Sequence, residues 1–422
     1  MSDENGKLPA SWRTAKLGDL LIEAATGFAC GQRATDGVVQ LRMNNVTRRG
    51  ELDWSSFIRV PADKTMRDDY ALQVGDVVFN NTNSTEMVGK TALFGGFDEP
   101  VVFSNHFTRL RTNADSLAPD FLALWLHCQW QAGLFARICD RWIGQSAVQR
   151  NKLLALEIPL PPLDEQRRIA ARLREQLSIL AKARAALEAQ LAAAESLPAA
   201  HLRAVFDTTE SESWPKKTIG EMIHEGALSE HQDGNHGELH PRNKDFVTEG
   251  VKFVTAKHIS GDGTVLLRSA PCISKEQASG LRIGFAQAND VLLAHNATVG
   301  KVGIAPLECE PFVVGTSLTI YRANAEMVDP KFLFYTLTAS QFQRQLVDAM
   351  KQTTRNQVPI TKQRTLSLPM PALDVQHDIS AQLDDAFAVS VGLRNSLRAK
   401  LSELEKLPAA LLRAAFQPSN QD

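Results

Sequence analysis

The sequence predicts an α+β protein written as two similar halves. Each half is a globular part followed by a long amphipathic helix. The two helices pair as an antiparallel coiled coil, and the halves form a pseudo-two-fold internal repeat. Three observations predict this. Residues 156–169 read LEIPLPPLDEQRRI, and residues 366–379 read LSLPMPALDVQHDI. Residues 197–206, LPAAHLRAVF, return as residues 407–416, LPAALLRAAF. Both shifts are 210, so no insertion separates the two markers in either copy. Third, each copy of the proline-rich phrase opens a stretch rich in Ala, Leu, Glu and Arg.

The echo extends upstream in looser register. Trp12 opens WRTAKLGDL and Trp214 opens WPKKTIGEM. Residues 39–52 pair with 252–265, Gly75-Asp76-Val77 with Asn289-Asp290-Val291, and Gly89-Lys90 with Gly300-Lys301. Residues 103–110 align with 313–320. Residues 38–42, 76–79 and 290–293 are short apolar runs beside turn signals and read as strands. Residues 119–128 and 330–337 are apolar and open on proline, so they read as buried helices. The divisions that follow are 1–160 and 207–370 for the globular parts, and 161–206 and 371–416 for the helical tails.

After the breaker Pro159-Leu160-Pro161-Pro162, residues from Asp164 to about Ser196 contain neither Gly nor Pro. At ~1.5 Å per residue this predicts a helix roughly 50 Å long. Leu173, Leu180, Leu187 and Ala194 fall at heptad position a, with Leu177 and Leu191 at d. In the second tail Leu383, Leu397 and Leu404 fall at a, with Phe387 and Leu401 at d. Such narrow apolar seams need a partner, and each supplies the other's. Arg184 and Arg394 interrupt both seams at matched places. Either they fix register, or their stems pack while the charges reach solvent.

The 422 residues fit two or three domains at roughly 150 each. The chain is 44% hydrophobic and 22% charged, as ordinary globular proteins are. A net charge of −2 argues against a strongly basic surface overall, though a local basic face remains compatible with it. Cys30, Cys128, Cys139, Cys272 and Cys309 include no CxxC pair, which points to free thiols in a reducing compartment. The polar segment MSDENGKLPASW has no apolar core of a secretory signal, and no apolar run approaches a membrane span. A cytoplasmic location is expected.

The phrase IPLPPLDEQRRI before a long helix, duplicated as LPMPALDVQHDI, resembles the conserved regions of type I restriction-modification specificity (S) subunits. The segment from Trp12 to Leu20, the Gly75-Asp76-Val77 turn and Gly144-Gln145-Ser146 share that resemblance, which covers nearly the whole chain. It implies two target recognition domains, each reading one half of a bipartite double-stranded DNA site. It also implies two methyltransferase subunits as partners, joined by motor-nuclease restriction subunits where the system has them. The S subunit is then non-catalytic and binds no cofactor, S-adenosylmethionine being held by the methyltransferase. The second copy departs from the first at Val375, opposite Glu165, and at Asn289, opposite Gly75.

Residues 84–91, STEMVGKT, stop one glycine short of a phosphate-binding loop, because Ser84 replaces the first Gly. The second copy lacks the hydroxyl after Lys301. The segment reads instead as a turn whose Lys90 and Lys301 face DNA phosphates. No N/D-P-P-Y/F methylation motif and no HExxH occur, and His127 beside Cys128 reads as structural. Polar clusters flank the strands: Asn44, Asn45 and Arg48, then Asn81 and Asn83, in the first half; Lys257 and His258, then His295, Asn296 and Thr298, in the second. Such side chains read base edges in the major groove, but Asn also favours turns. Gln145, Arg150 and Arg355, just before the proline phrases, complete the candidate DNA contacts. Competing readings are the specificity part of a methyltransferase-only complex, a fused methyltransferase chain, and a coiled-coil scaffold without DNA. The missing motifs weigh against the fused enzyme, and the matched polar clusters against the scaffold.

Overall fold

The first tail is a single helix, Leu163–Phe206, in the computed structural model, which describes residues 9, 11–61, 63, 68–237, 239–351 and 356–416. The helix runs ten residues past the end predicted near Ser196 and continues through Pro198. A mid-helix proline removes one backbone hydrogen bond and crowds the preceding turn. Burial of Leu202 and Phe206 in an apolar core offsets that cost. The second tail meets the same Leu-Pro pair differently, as a break between the helices Leu373–Leu404 and Leu407–Phe416.

The chain divides into two compact units. Unit 1 comprises residues 1–188 with 399–422, and unit 2 comprises 189–398. Each unit therefore holds one globular part, the start of the tail that follows it, and the end of the other tail. Within each unit the tail segments run antiparallel. In unit 1, Arg184 reaches Glu405 at 3.4 Å, while Leu173 and Leu412 share the core. In unit 2, Arg398 meets Glu195 at 3.0 Å, and Ser390 lies 3.4 Å from His201. The seam residues Leu173, Ala194, Leu383 and Leu397 are buried, as the heptads predict. Arg184 also bonds Glu188 at 2.7 Å, so its charge is engaged along and across the pair.

Both heads are α+β with matching topology. In unit 1 an antiparallel sheet orders Leu21–Thr26, Phe107–Thr112, Val77–Asn80 and Thr91–Leu93. In unit 2 the order is Leu228–Asp233, Leu318–Ala323, Val291–Ala294 and Val302–Ile304. A second sheet in each head contains one parallel pair, Val38–Leu41 with Val101–Phe103 and Val251–Val254 with Phe312–Val314. The register Leu21↔Thr112 and Leu228↔Ala323 aligns the strands Phe107–Thr112 and Leu318–Ala323 at a shift of 211. This corrects the shift of 210 expected for residues 103–110. One residue matters here, because side chains in a strand alternate between faces.

Helices Pro119–Gln131 and Pro330–Thr338 cover the sheets, each with proline in its first turn. Phe121 packs against Phe416 at 5.2 Å between ring centres, and Phe332 against Phe206 at 5.8 Å. Equivalent positions also carry an ion pair of reversed sign. Asp120 holds Arg174 at 2.8 Å in unit 1, whereas Lys331 holds Asp384 in unit 2.

The turn Gly75-Asp76-Val77 is an anchor. Gly75 has φ +95°, and its counterpart Asn289 has φ +65°, a conformation Asn tolerates. Asp76 receives Arg111 in two bonds of 2.8 Å, and Asp290 receives Arg322 at 2.8 and 2.7 Å. Glu23 and Glu230 bind the same guanidinium groups. The substitution Asn289 thus preserves the turn. Val375 packs partly against the unit 2 core where Glu165 instead pairs with Arg168 at 3.6 Å.

The proline phrase ends in a buried carboxamide. Gln166 is 0% exposed and Gln376 is 1% exposed. Gln166 accepts from the Ala118 N–H at 2.9 Å and donates to the Pro161 and Ser116 carbonyls at 2.9 and 3.0 Å. Gln376 accepts from the Asp329 N–H at 3.0 Å and donates to the Pro371 carbonyl at 2.9 Å. These bonds join the first turn of each tail to the entry of each covering helix. Replacing Gln166 by Leu strands one buried N–H and two carbonyls, which should cost on the order of 3 kcal/mol. A lowered thermal midpoint in Gln166→Leu, with no change in the exposed neighbour Arg167→Ala, checks this.

Candidate functional site

The two heads present the same loop scaffold with different side chains. After the strand Val38–Leu41 the chain makes a short helical turn, Met43–Asn45, and after Val251–Val254 it makes Ala256–His258. The third residue of each turn folds back on its own backbone. Asn45 accepts from the Arg42 N–H at 3.0 Å, and His258 Nδ1 accepts from the Thr255 N–H at 3.0 Å. Asn45 is 1% exposed and also donates to the Asp53 and Ser56 carbonyls at 3.0 and 2.8 Å. The second residue of each turn, Asn44 or Lys257, is exposed.

Lys90 does not face outward as a phosphate contact requires. Lys90 is 4% exposed, and its ammonium donates to the carbonyls of Met43 at 3.1 Å and of Val46. Burial, then the nearby Arg48 charge, lowers its pKa from the ordinary lysine range. Lys301 is half-buried and donates to the Ala256 carbonyl at 3.2 Å. Both lysines therefore bolt that turn to the sheet. For Lys90 the expectation failed because the carbonyls that capture it come from a turn more than 40 residues earlier in the chain.

The strand ends differ in the same way. Asn81 donates to Thr108 Oγ1 at 3.1 Å, while His295 Nδ1 lies 2.8 Å from Thr319 Oγ1 at the equivalent place. His295 is 9% exposed, which removes it from the exposed candidates. Burial lowers its pKa, and Asp233 opposes that shift. Thr319 accepts in turn from Gln363 Nε2 at 3.0 Å, and Gln363 Oε1 accepts from the Tyr321 hydroxyl at 2.6 Å. His231 closes this network, 3.4 Å from Gln363. Asn83 is half-buried and donates to Asn80 Oδ1 at 2.6 Å.

A three-stranded sheet brings Asn83 and Gln145 together, ordering Asp140–Trp142, Gln145–Ala147 and Thr82–Asn83. Gln145 is exposed beside the hairpin tip, where Trp142 is 58% exposed and Ile143 is fully exposed. Sequence reading missed this apolar tip, although an aromatic and a β-branched residue before Gly144 were a legible signal. Arg150 is exposed and donates to the Ala24 carbonyl at 3.1 Å. Asn296 and Thr298 are exposed on the loop that follows Val291–Ala294, and Ala297 between them has φ +62°. Arg48 is exposed, and Arg355 lies outside the described residues. The exposed set is thus Asn44, Arg48, Gln145 and Arg150 in unit 1, with Lys257, Asn296 and Thr298 in unit 2.

No group of three or more His, Cys, Asp or Glu able to hold a metal occurs among the described residues. No helix among them is long and apolar enough to cross a membrane. Residues 9–189 and 237–403 both match the type I restriction modification DNA specificity domain. The chain belongs to that family. A putative type I restriction enzyme MjaX specificity subunit from Methanocaldococcus jannaschii is 26% identical over 407 residues, covering 90% of this chain and 88% of the relative. The EcoBI specificity subunit from Escherichia coli is 25% identical over 278 residues, 62% of this chain and 57% of its own. A solved chain, described in terms of complex assembly and conformational transition of the type I R-M system, has a TM-score of 0.73 at 22% identity. It covers 98% of this chain and 99% of its own. The HsdS subunit from Thermoanaerobacter tengcongensis gives 0.62 at 21% identity, over 99% and 100%. The resemblance drawn from the proline phrases is therefore correct, and this type I specificity subunit is a recognition protein rather than an enzyme.

Two buried imidazoles carry a pH signature. Burial lowers the pKa of both His127 and His231 to about 4. The unfolded chain takes up these protons near pH 6.5, whereas the folded chain refuses them until pH 4. Stability is therefore complete above pH 6.5 and falls as pH drops through that window. The slope is at most about 1.4 kcal/mol per pH unit for each group. Denaturant titrations from pH 7 to pH 4.5 should show that loss, and replacing both residues by Gln should flatten the slope.

Proposed function

We propose that each head reads one half of a bipartite double-stranded DNA sequence through the exposed side chains of its loop scaffold. One observation carries this reading. Two heads of the same topology hold the same turn with the same backbone clasp, yet present Asn44 in one and Lys257 in the other. Asparagine pairs naturally with adenine and lysine with guanine in the major groove, so a common scaffold can address different bases. Arg48 and Arg150 suit phosphates, which position a protein without specifying sequence. Gln145, Asn296 and Thr298 extend the reading faces.

The low net charge fits a subunit that shares phosphate contact with partners. Two methyltransferase subunits are the expected partners, and they supply the S-adenosylmethionine site. Motor-nuclease subunits join where the system restricts as well as modifies. The chain alone should transfer no methyl group to DNA in the presence of S-adenosylmethionine. Tritium transfer by the purified chain, free of partners, would overturn that expectation.

The modular reading predicts separable effects. Asn44→Ala should relax specificity in one half-site only, and Lys257→Ala in the other only. Each loss should amount to about 1–3 kcal/mol at the affected base pair. Sequencing the methylated adenines in cells that carry each variant measures this. Equal disturbance of both half-sites by either variant would defeat it.

A further inference from the structure

The side chain of Arg42, at the opening of the Met43–Asn45 turn, is half-buried and held along one edge only. Its Nε donates to Gln40 Oε1 at 3.1 Å, and its Nη2 donates to the Cys30 carbonyl at 2.6 Å. Nε and Nη2 share one edge of the planar fork, so that edge is occupied. Nη1 is not buried and has no partner among the described residues. The end-on edge, Nη1 with the second hydrogen of Nη2, is therefore left without an acceptor. No carboxylate neutralises the group. Burial, then the neighbouring charge of Arg33, lowers its pKa from the ordinary arginine range, and the opposing group is the Cys30 thiol. Other arginines on the sheets of this head are matched: Arg59 by Glu99, Arg109 by Glu23 and Arg111 by Asp76. Arginine stays charged in such surroundings, so Arg42 is a fixed cation with a free fork.

The hold on Arg42 is itself fixed. Gln40 is 0% exposed, and its Nε2 donates to the Phe28 carbonyl at 3.2 Å. That carbonyl also accepts from the Asn105 N–H at 3.1 Å. With its amide nitrogen bound to a carbonyl, Gln40 turns its oxygen to Arg42 and sets the plane of the guanidinium. Unit 2 shows that the fold does not require this pair. Phe253 and Thr255 stand there where Gln40 and Arg42 stand in unit 1, and the same strand and turn form. Phe253 is 3% exposed and packs on Phe246 at 5.8 Å between ring centres. Thr255 contributes a hydroxyl 3.2 Å from His258 Nδ1. A buried amide is costlier than a buried ring unless it is hydrogen-bonded. Unit 1 carries both the holder and the held residue, and unit 2 carries neither.

We infer that Arg42 reads a guanine in the half-site recognised by unit 1, donating along its open edge to O6 and N7 in the major groove, with Gln40 as its positioning residue. This rests on the reading of the heads as DNA-recognition modules. A phosphate contact needs a charge and tolerates many directions, whereas a base edge needs a fork held in one plane. Guanine offers two acceptors side by side on that edge. Adenine puts a donor in place of O6, so an N–H would face an N–H. Discrimination then comes from a lost bond and from opposed donors together. Asn44 follows two residues later, so a single turn offers a guanine reader and an adenine reader.

Sequencing the methylated adenines in cells that carry the full system tests this, together with competition binding of single-base-pair duplex variants to the complex purified from them. Arg42→Thr copies the sibling head and so keeps a side chain the turn is known to accept. It should admit other base pairs at one G·C position of one half-site, with discrimination there falling about ten-fold or more. Arg42→Lys keeps the charge, loses the planar fork, and should relax the same position. Gln40→Leu should relax that position and no other, and the thermal midpoint of each variant reports whether the head still folds. Lys257→Ala, in the other head, should leave the position strict. Four results overturn the inference: relaxation at an A·T pair, equal weakening of every duplex by Arg42→Thr as a phosphate contact would give, full discrimination by Arg42→Lys, or full discrimination by a folded Gln40→Leu. If Asn44→Ala alters one half-site while Arg42→Thr alters none, this inference falls and the modular reading stands. If neither alters a half-site, both fall.

Discussion

A long helix that leaves a globular head needs something to fix its exit, or its narrow seam finds no partner in register. Here that constraint is a glutamine carboxamide with no access to water. Gln166 and Gln376 each accept from the backbone at the start of a covering helix and donate to the proline carbonyl that precedes the tail. Only a side chain that donates and accepts at once can do this, and a glutamate would bury a charge with a carbonyl facing it. Pro161 and Pro162, and Pro371 in the other copy, stiffen the strand-to-helix passage so that the carboxamide arrives in one place. The seam, the ion pairs across it and the closing contacts of Phe206 and Phe416 all presuppose that exit.

Much of this was legible in the chain. Matched phrases at a constant shift revealed the duplication, and heptad spacing identified the residues that face the partner helix. The strands and the proline-opened helices also followed from local pattern. What was hidden depended on partners distant in sequence. Lys90 looks like a free cation beside Gly89 until the Met43–Asn45 turn is folded against it. Asn44 and Asn45 are chemically identical, and only the turn geometry decides that one caps and the other projects. Pro198 looks like a stop signal until Leu202 and Phe206 acquire a core. Gln166 sat inside the most recognisable phrase, yet its role needed the Ala118 N–H, which no spacing rule points to.

The heads diverge where a common scaffold permits it. The Asp-Arg-Glu anchor, the left-handed turn residue and the lysine clasp are maintained in both copies, with Asn289 replacing Gly75 at no loss of conformation. These contacts fix the backbone so that neighbouring positions are released from structural duty. Asn44 and Lys257 occupy such a position. Constraint and freedom alternate along the chain at nearly single-residue resolution.

The reversed ion pairs have a consequence for how two near-copies avoid confusion. Arg174 and Asp384 sit at equivalent points of the tails, and Asp120 and Lys331 at equivalent points of the heads. If the head of one copy were docked on the tail start of the other, Asp120 would face Asp384 and Lys331 would face Arg174. Partly exposed pairs of this kind add little to stability, roughly 0–1 kcal/mol. Their value lies in contrast, since a wrong match turns a small attraction into a small repulsion at both heads together. Two modules with interchangeable seams thus carry a polarity mark. The mark distinguishes like from unlike as a keyed connector accepts its plug in one orientation.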